Sequence, residues 1–237
     1  SFGFDIPDYV SDGADHSLVV RVEDDTRSGV QPLGKQSSLY YSHGCMYTRT
    51  TGIWQTVWME PVDRCGLASV YVVPDLDRKV FTVQPEFRAF ADGLVFEAVV
   101  RDGNKVVGRV KMPASPGLKL DVPLKAVKTW SPESPFLYDV DFTVYDRNGN
   151  ALDKVRSYAG MRKIHTVGNR LYLNNKPYFL RLVLDQGFYP DGIWTAPSDD
   201  DLRRDIELSM AAGFNGARLH QKVFEERFHY WADRLGY

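Results

Sequence analysis

Cysteine is scarce in this sequence. Cys45 and Cys65 are the two in 237 residues. At this length two cysteines cannot form a disulfide framework, and free thiols are the simpler reading. Long apolar runs are missing too, and no stretch approaches the roughly 20 residues needed to span a bilayer. The opening "SFGFDIPDYV" has neither the basic start nor the apolar stretch of a secretory leader. It also lacks an initiator Met, which leaves the true N-terminus open. Charge of one sign is not in excess. A net charge of −2 gives no electrostatic case for nucleic acid or an anionic membrane surface. The five histidines show no metal-ligand spacing. There is no glycine-rich phosphate loop and no G-x-S-x-G elbow. No cofactor is evident, and the compartment, cytoplasmic or periplasmic, stays undetermined.

Hydrophobic residues make up 43% and aromatic residues 13%, enough for one or two packed cores. Up to about residue 196 helical periodicity is nearly absent. Strands are expected at 17–24 ("SLVVRVED"), 52–62 ("GIWQTVWMEPV"), 68–73, 79–90, 94–102 and 137–146. Val140, Phe142 and Val144 alternate with Asp139, Asp141 and Thr143, so one face is apolar and the other polar. "RDGNK" and "DRNGN" fall between runs at hairpin spacing. Short strands with such turns describe an antiparallel sandwich. The interval 26–51 breaks the rhythm. It is long for a connection and rich in Tyr, Arg and Lys, which favours a loop ordered against something.

The pattern changes near residue 196. "APSDDDLRRDIELSMAAG" reads as a helix. Ser198 and Asp201 form a capping box, acidic residues fill the first turn, and Leu202, Ile206 and Met210 share a face; Gly213 stops it. "PYFLRLVLD" (177–185) reads as a buried strand before it, and "FNGARLH" (214–220) as another after it. A last helix carries Phe224, Phe228, Trp231 and Leu235 on one face and ends at Gly236. Strand, helix, strand, helix is β/α winding on a parallel sheet. Two such units leave a sheet edge and an apolar face uncovered, as in a piece of something larger.

Six segments, in this order, resemble glycoside hydrolase family 2: "TRTTGIWQTVWMEPV", "WSPESPFLYDV", "YAGMRKI", "LYLNNKPYFLRLV", "AAGFNGARLH" and "YWADRLGY". The family includes β-galactosidases, β-glucuronidases and β-mannosidases, and the resemblance covers essentially the whole chain. It implies a multi-domain, mainly β architecture. Residues 1–73 would be the C-terminal part of a jelly-roll sugar-binding domain, with "FGFDIPDYV" as its mid-domain segment. Residues 74–163 would be an immunoglobulin-like β-sandwich, and 164–237 the first two β/α units of a TIM (β/α)8 barrel. Trp130, Pro132, Pro135 and Tyr138 read as a packing corner at a sandwich edge, and "NNKP" (174–177) as a turn.

The active face of a TIM barrel is the C-terminal end of its strands. That singles out Asp185 and Gln186 after the first strand, and Arg218 and His220 after the second. Arg and His there can donate hydrogen bonds to sugar hydroxyls or orient a carboxylate; a salt bridge across strands and a satisfied second-layer histidine are the plainer readings. The resemblance implies an Arg and a His near the nucleophile. The family's best-known members space them R-x-x-H, whereas this chain has R-x-H, so Gln221 and Lys222 join the substrate-binding candidates. The resemblance also puts Met46 where lactose- and glucuronide-cleaving relatives carry an acid, and a thioether accepts hydrogen bonds poorly.

Retaining glycosidases use two carboxyls roughly 5 Å apart. The resemblance implies that these glutamates follow residue 237. Glu225 and Glu226 read as a solvated helical turn and Glu133 as a sandwich turn, so no catalytic residue is assigned. The reading is therefore part of a retaining glycoside hydrolase acting on β-linked sugars, β-galactosides first. The chain alone is expected to be inactive, its partner is a carbohydrate substrate, and homo-oligomerisation is left open. The alternative is a non-catalytic carbohydrate-binding β-sandwich module, which would not need the β/α segment.

Overall fold

The computed structural model describes residues 3–6, 13, 15–25 and 27–237. It divides into two compact units, residues 1–56 and 57–237. Most of the "FGFDIPDYV" segment lies outside the described residues.

The first unit has no strand among its described residues, against the expected strand at 17–24. The expected strand at 52–62, which crosses into the second unit, is not formed either. Both segments carry strand-like residues. A strand, however, is a pairing and not a composition, and no strand ladder forms at either segment among the described residues. Order in the first unit comes from isolated bridges, a parallel one at Gln36 and Tyr47 and an antiparallel one at His43 and Met46. Ser37 is fully buried, and its hydroxyl lies 3.0 Å from His43 Nδ1. Arg49 stacks over Tyr40 at 3.8 Å and donates to the Ser38 carbonyl. The 27–51 stretch is therefore an ordered loop without sheet.

In the second unit, β1 (Leu67–Asp75), β2 (Val80–Phe87), β3 (Val95–Asp102), β4 (Lys105–Pro113) and β5 (Leu120–Pro123) come first. The short pair β6 (Trp130–Ser131) and β7 (Ser134–Pro135) follows, then β8 (Tyr138–Tyr145) and β9 (Ala151–Ala159). They form a three-stranded sheet in the order β1-β2-β5 and a four-stranded sheet in the order β4-β3-β8-β9, both antiparallel. Residue 73, the expected domain boundary, falls inside β1, so the sandwich begins at Leu67.

Phe81, Val83, Leu120 and Val122 face Phe96, Ala98, Val100, Val140, Phe142 and Val144 in one buried cluster. The 140/142/144 alternation is realised as read. Each of these side chains except Ala98 contributes roughly 1.5–3 kcal/mol by leaving water. Phe96 and Phe142 stack at 5.9 Å across neighbouring strands. At the start of β8, the buried Tyr138 hydroxyl accepts a hydrogen bond from the Lys128 backbone N–H at 2.7 Å.

The chain then builds a small antiparallel sheet from β10 (Ile164–Val167), β11 (Arg170–Leu173) and β12 (Lys176–Pro177). Asn174 and Asn175 form its second turn at φ of 51° and 64°, the left-handed region that asparagine tolerates. Next come β13 (Leu182–Asp185), α1 (Asp199–Ala211), β14 (Gly216–Leu219) and α2 (Glu226–Leu235). β13 and β14 pair in parallel with α1 between them, so the expected winding is present.

The first strand of that winding is shorter than the expected 177–185, and it is not buried. Leu182 is 41% and Leu184 51% exposed. The reason is coverage. Leu219 on one face joins Leu202, Ile206, Phe224 and Phe228 in the helix cluster, whereas nothing among the described residues covers the face of Leu182 and Leu184. Two parallel strands with one face open are not a closed barrel. Ser198 caps α1, its hydroxyl accepting from the Asp201 N–H at 3.2 Å and donating to the Asp201 carboxylate at 2.7 Å. No helix among the described residues is long and apolar enough to cross a membrane.

Trp130 of β6, with Tyr158 and Arg162, joins the sandwich to α2. Trp130 Nε1 donates to the Asp233 carbonyl at 2.7 Å, and Arg162 lies 4.7 Å over the indole. Arg162 and Tyr158 both reach the Asp233 carboxylate, at 3.1 and 3.2 Å. Trp130 is thus more than a sandwich-edge corner. It is the central side chain of the contact between sandwich and helix.

Candidate functional site

Parallel register sets Asp185 beside Leu219 and Leu184 beside Arg218. The His220 N–H donates to the Asp185 carbonyl at 2.8 Å, continuing the ladder one step past β14. Asp185, Gln186, His220, Gln221 and Lys222 therefore come together at the C-terminal edge of the two-stranded sheet. Arg218 lies one step inside it, in register with Leu184, and is exposed.

The structure assigns these residues different surroundings. The Asp185 carboxylate turns back and accepts the Gly187 N–H at 2.8 Å, so it closes the turn that follows its own strand. Gln186 is half-buried. Gln221 is exposed and held at φ 54°, unusual for a residue with a side chain. Such positions concentrate where surrounding structure over-determines the backbone, often at binding sites.

Lys222 is the most constrained of the set. Its ammonium donates to the Gly187 carbonyl at 2.5 Å and to the Trp194 carbonyl at 2.6 Å. The rings of Phe224, Trp194 and Tyr189 lie 5.1, 5.4 and 5.9 Å away, within cation–π range. Burial pushes the lysine pKa down, against the pull of Glu225, Asp185 and Asp205. Burial likewise raises Asp205, and it raises Tyr189, with the Asp205 carboxylate beside it adding to the shift.

The loop that Lys222 grips is tight. Tyr189 and Ile193 exchange both backbone hydrogen bonds, at 2.9 and 3.0 Å. Gly192 has no room for a side chain, since a Cβ there would lie 1.8 Å from the Thr195 carbonyl oxygen. Gly187, at φ 62°, would carry a Cβ 2.7 Å from Phe224 Cζ and 3.0 Å from Lys222 Nζ. These glycines let the loop approach the lysine.

One other reading changes. Glu225 is not part of a solvated turn. It is the N-cap residue of α2, half-buried, and its Oε1 is buried without a hydrogen-bond partner. Met46 sits half-buried in the tight turn closed by His43. Sequence reasoning missed Trp194 and Asp205. Trp194 follows Gly192 at close range, a pairing that could have flagged a tight aromatic loop.

The profile "Glycosyl hydrolases family 2" matches residues 70–162, which spans nearly the whole sandwich. The β-galactosidase of Lactococcus lactis is 25% identical over 191 residues, covering 79% of this chain and 18% of its own. That of Enterobacter cloacae is 26% identical over 204 residues, with 79% and 20% covered. This chain thus spans about a fifth of the length of these curated relatives. Among solved structures, a glycosyl hydrolase family 2 member from Bacteroides cellulosilyticus superposes with a TM-score of 0.63 at 22% identity, covering 70% of this chain and 24% of its own. A β-D-glucuronidase from Dictyoglomus thermophilum gives 0.61 at 19%, with 72% and 28% covered. At these identities the structures speak for the fold, and the sequence matches carry the relationship. Together they make this chain similar to a fragment of a family 2 glycoside hydrolase, with the profile match confined to the sandwich.

Proposed function

We propose that this chain is part of a retaining glycoside hydrolase acting on β-linked sugars, with β-galactosides as the first substrate class. The observation that carries the reading is the order of parts. A two-sheet sandwich matching the family leads, through the small sheet β10–β12, into parallel β/α winding, with Gln186, His220 and Gln221 at its C-terminal strand edge and Arg218 one step inside. Guanidinium, imidazole and amide groups are donors suited to sugar hydroxyls.

The sandwich is read as an immunoglobulin-like domain. Its three-plus-four strand arrangement and the Tyr138 hydroxyl that ties back to Lys128 support that. Residues 164–237 are read as the opening of a TIM barrel, supported by the parallel pairing and the open apolar face of β13. The jelly-roll assignment of residues 1–73 rests on the "FGFDIPDYV" and "GIWQTVW" segments of the sequence. Arg218, His220, Gln186 and Gln221 are assigned to the sugar, with Asp185 and Lys222 set behind them in the turn and loop. No carboxylate of this chain is assigned as nucleophile or general acid, and the 237-residue chain alone is expected to hydrolyse nothing.

The test is turnover of nitrophenyl β-galactoside, β-glucuronide and β-mannoside by the complete gene product, with the anomer of the first-formed sugar read by NMR. Retained β-configuration on the galactoside supports the proposal. Inversion, or no turnover of any of the three, overturns it. Micromolar sugar binding by this chain in calorimetry, without turnover by the complete product, would favour the binding-module reading.

A further inference from the structure

We infer that Lys222 is a positioning residue for the site proposed above. It fastens the two loops that carry Gln186 and Gln221, and it does not itself contact the sugar. The inference rests on the glycosidase reading only for what those glutamines bind.

The geometry runs through adjacent residues. Gly187 follows Gln186, and Lys222 follows Gln221. The bond from Lys222 Nζ to the Gly187 carbonyl therefore ties the peptide after one glutamine to the residue after the other. Gly187 is held from both sides, since its N–H donates to Asp185 and its carbonyl accepts from Lys222. The second bond, to the Trp194 carbonyl, fixes the far end of the same loop.

Both bonded chain segments carry a residue with a side chain in the left-handed region: Gln221 at φ 54° and Ile193, next to Trp194, also at φ 54°. For β-branched Ile193 that conformation is sterically disfavoured, since its Cβ crowds the carbonyl oxygen. A backbone so placed needs an external restraint, and a charged donor shared by two carbonyls supplies one stronger than a neutral hydrogen bond. Two of the ammonium's three N–H groups are engaged with loop carbonyls and three rings crowd the rest, so we read its effect on a sugar as passing through the loops it holds.

The test has two arms. In this chain, Lys222→Met should speed amide hydrogen exchange across residues 186–195 and 221–223 by about tenfold or more, as local opening is released. Exchange within β2, β3 and β8 should be unchanged. If exchange of the two loops does not change, the inference is wrong, whatever the enzyme does. In the complete gene product, Lys222→Met should lower kcat/KM by about 10- to 100-fold, mostly in kcat, as misplacement of orienting groups does. In a Gln186→Ala/Gln221→Ala background the same change should cost less than about twofold, because the residues through which it acts are gone. Full additivity would overturn the positioning role. If the Met variant does not fold, Gly187→Ala tests the same point, since its Cβ would press on the ammonium without removing charge. It must reproduce both the exchange and the non-additivity. Absence of turnover by the wild-type product would sink the glycosidase reading, and the exchange arm would still decide the positioning claim.

Discussion

Asp199 shows how a single side chain fixes the helix pair. It opens α1, where the helix dipole already favours an anion. Arg227 on α2 grips both of its oxygens, at 2.5 and 2.8 Å, and Trp231 Nε1 adds a third bond at 2.9 Å. Arg227 first, and Trp231 after it, hold the carboxyl down at about 2, from an ordinary 3.8. A depressed carboxyl contributes stability above its ordinary value and loses it as pH falls toward the folded value. Because the pair is largely exposed, its worth is discounted to about 1 kcal/mol. Asp199→Asn should therefore lower unfolding free energy by that amount at pH 7, measured by urea titration. The difference from wild type should shrink between pH 4 and pH 2. A difference constant across that window would mean that the contact with Arg227 does not depress the Asp199 carboxyl. Ser198→Ala should cost a further ~1 kcal/mol through the lost N-cap.

At the scale of elements, the contact between sandwich and α2 hangs on Trp130. Trp130→Phe keeps most of the buried ring but strands the Asp233 carbonyl and removes the surface under Arg162. It should cost about 1–3 kcal/mol by denaturant titration. A cost near zero would show that β6 merely lies against α2. These elements also show what a sequence reveals. Strands β2, β3 and β8 were legible because Phe81, Phe96, Val140, Phe142 and Val144 alternate at period two over a real core. α1 was legible because Ser198, the acidic turn and the Leu202/Ile206 face agree. Strands β4 and β9 were not read, since Arg109, Lys111, Lys154 and Arg156 mask the alternation on sheet edges. Residues 17–24 and 52–62 have the composition of strands, but no strand ladder forms there among the described residues. The site was half legible. Winding alone located Asp185, Arg218 and His220, whereas the inward turn of Lys222 depends on Gly187 and Gly192, whose closeness no spacing rule reports.

At the scale of the whole molecule, a sandwich of family 2 type feeds a parallel β/α unit whose strand face with Leu182 and Leu184 is open and whose C-terminal edge carries polar donors. Arg218 is the most exposed charged donor of that edge, in register with Leu184 and without a resolved structural duty. The most direct measurement is the kcat/KM of the complete gene product for nitrophenyl β-galactoside, wild type against Arg218→Ala. The account predicts turnover by the wild type and a loss of about 100-fold in the variant, as expected for removing a charged donor to the reacting sugar. Equal rates in the two proteins would contradict it.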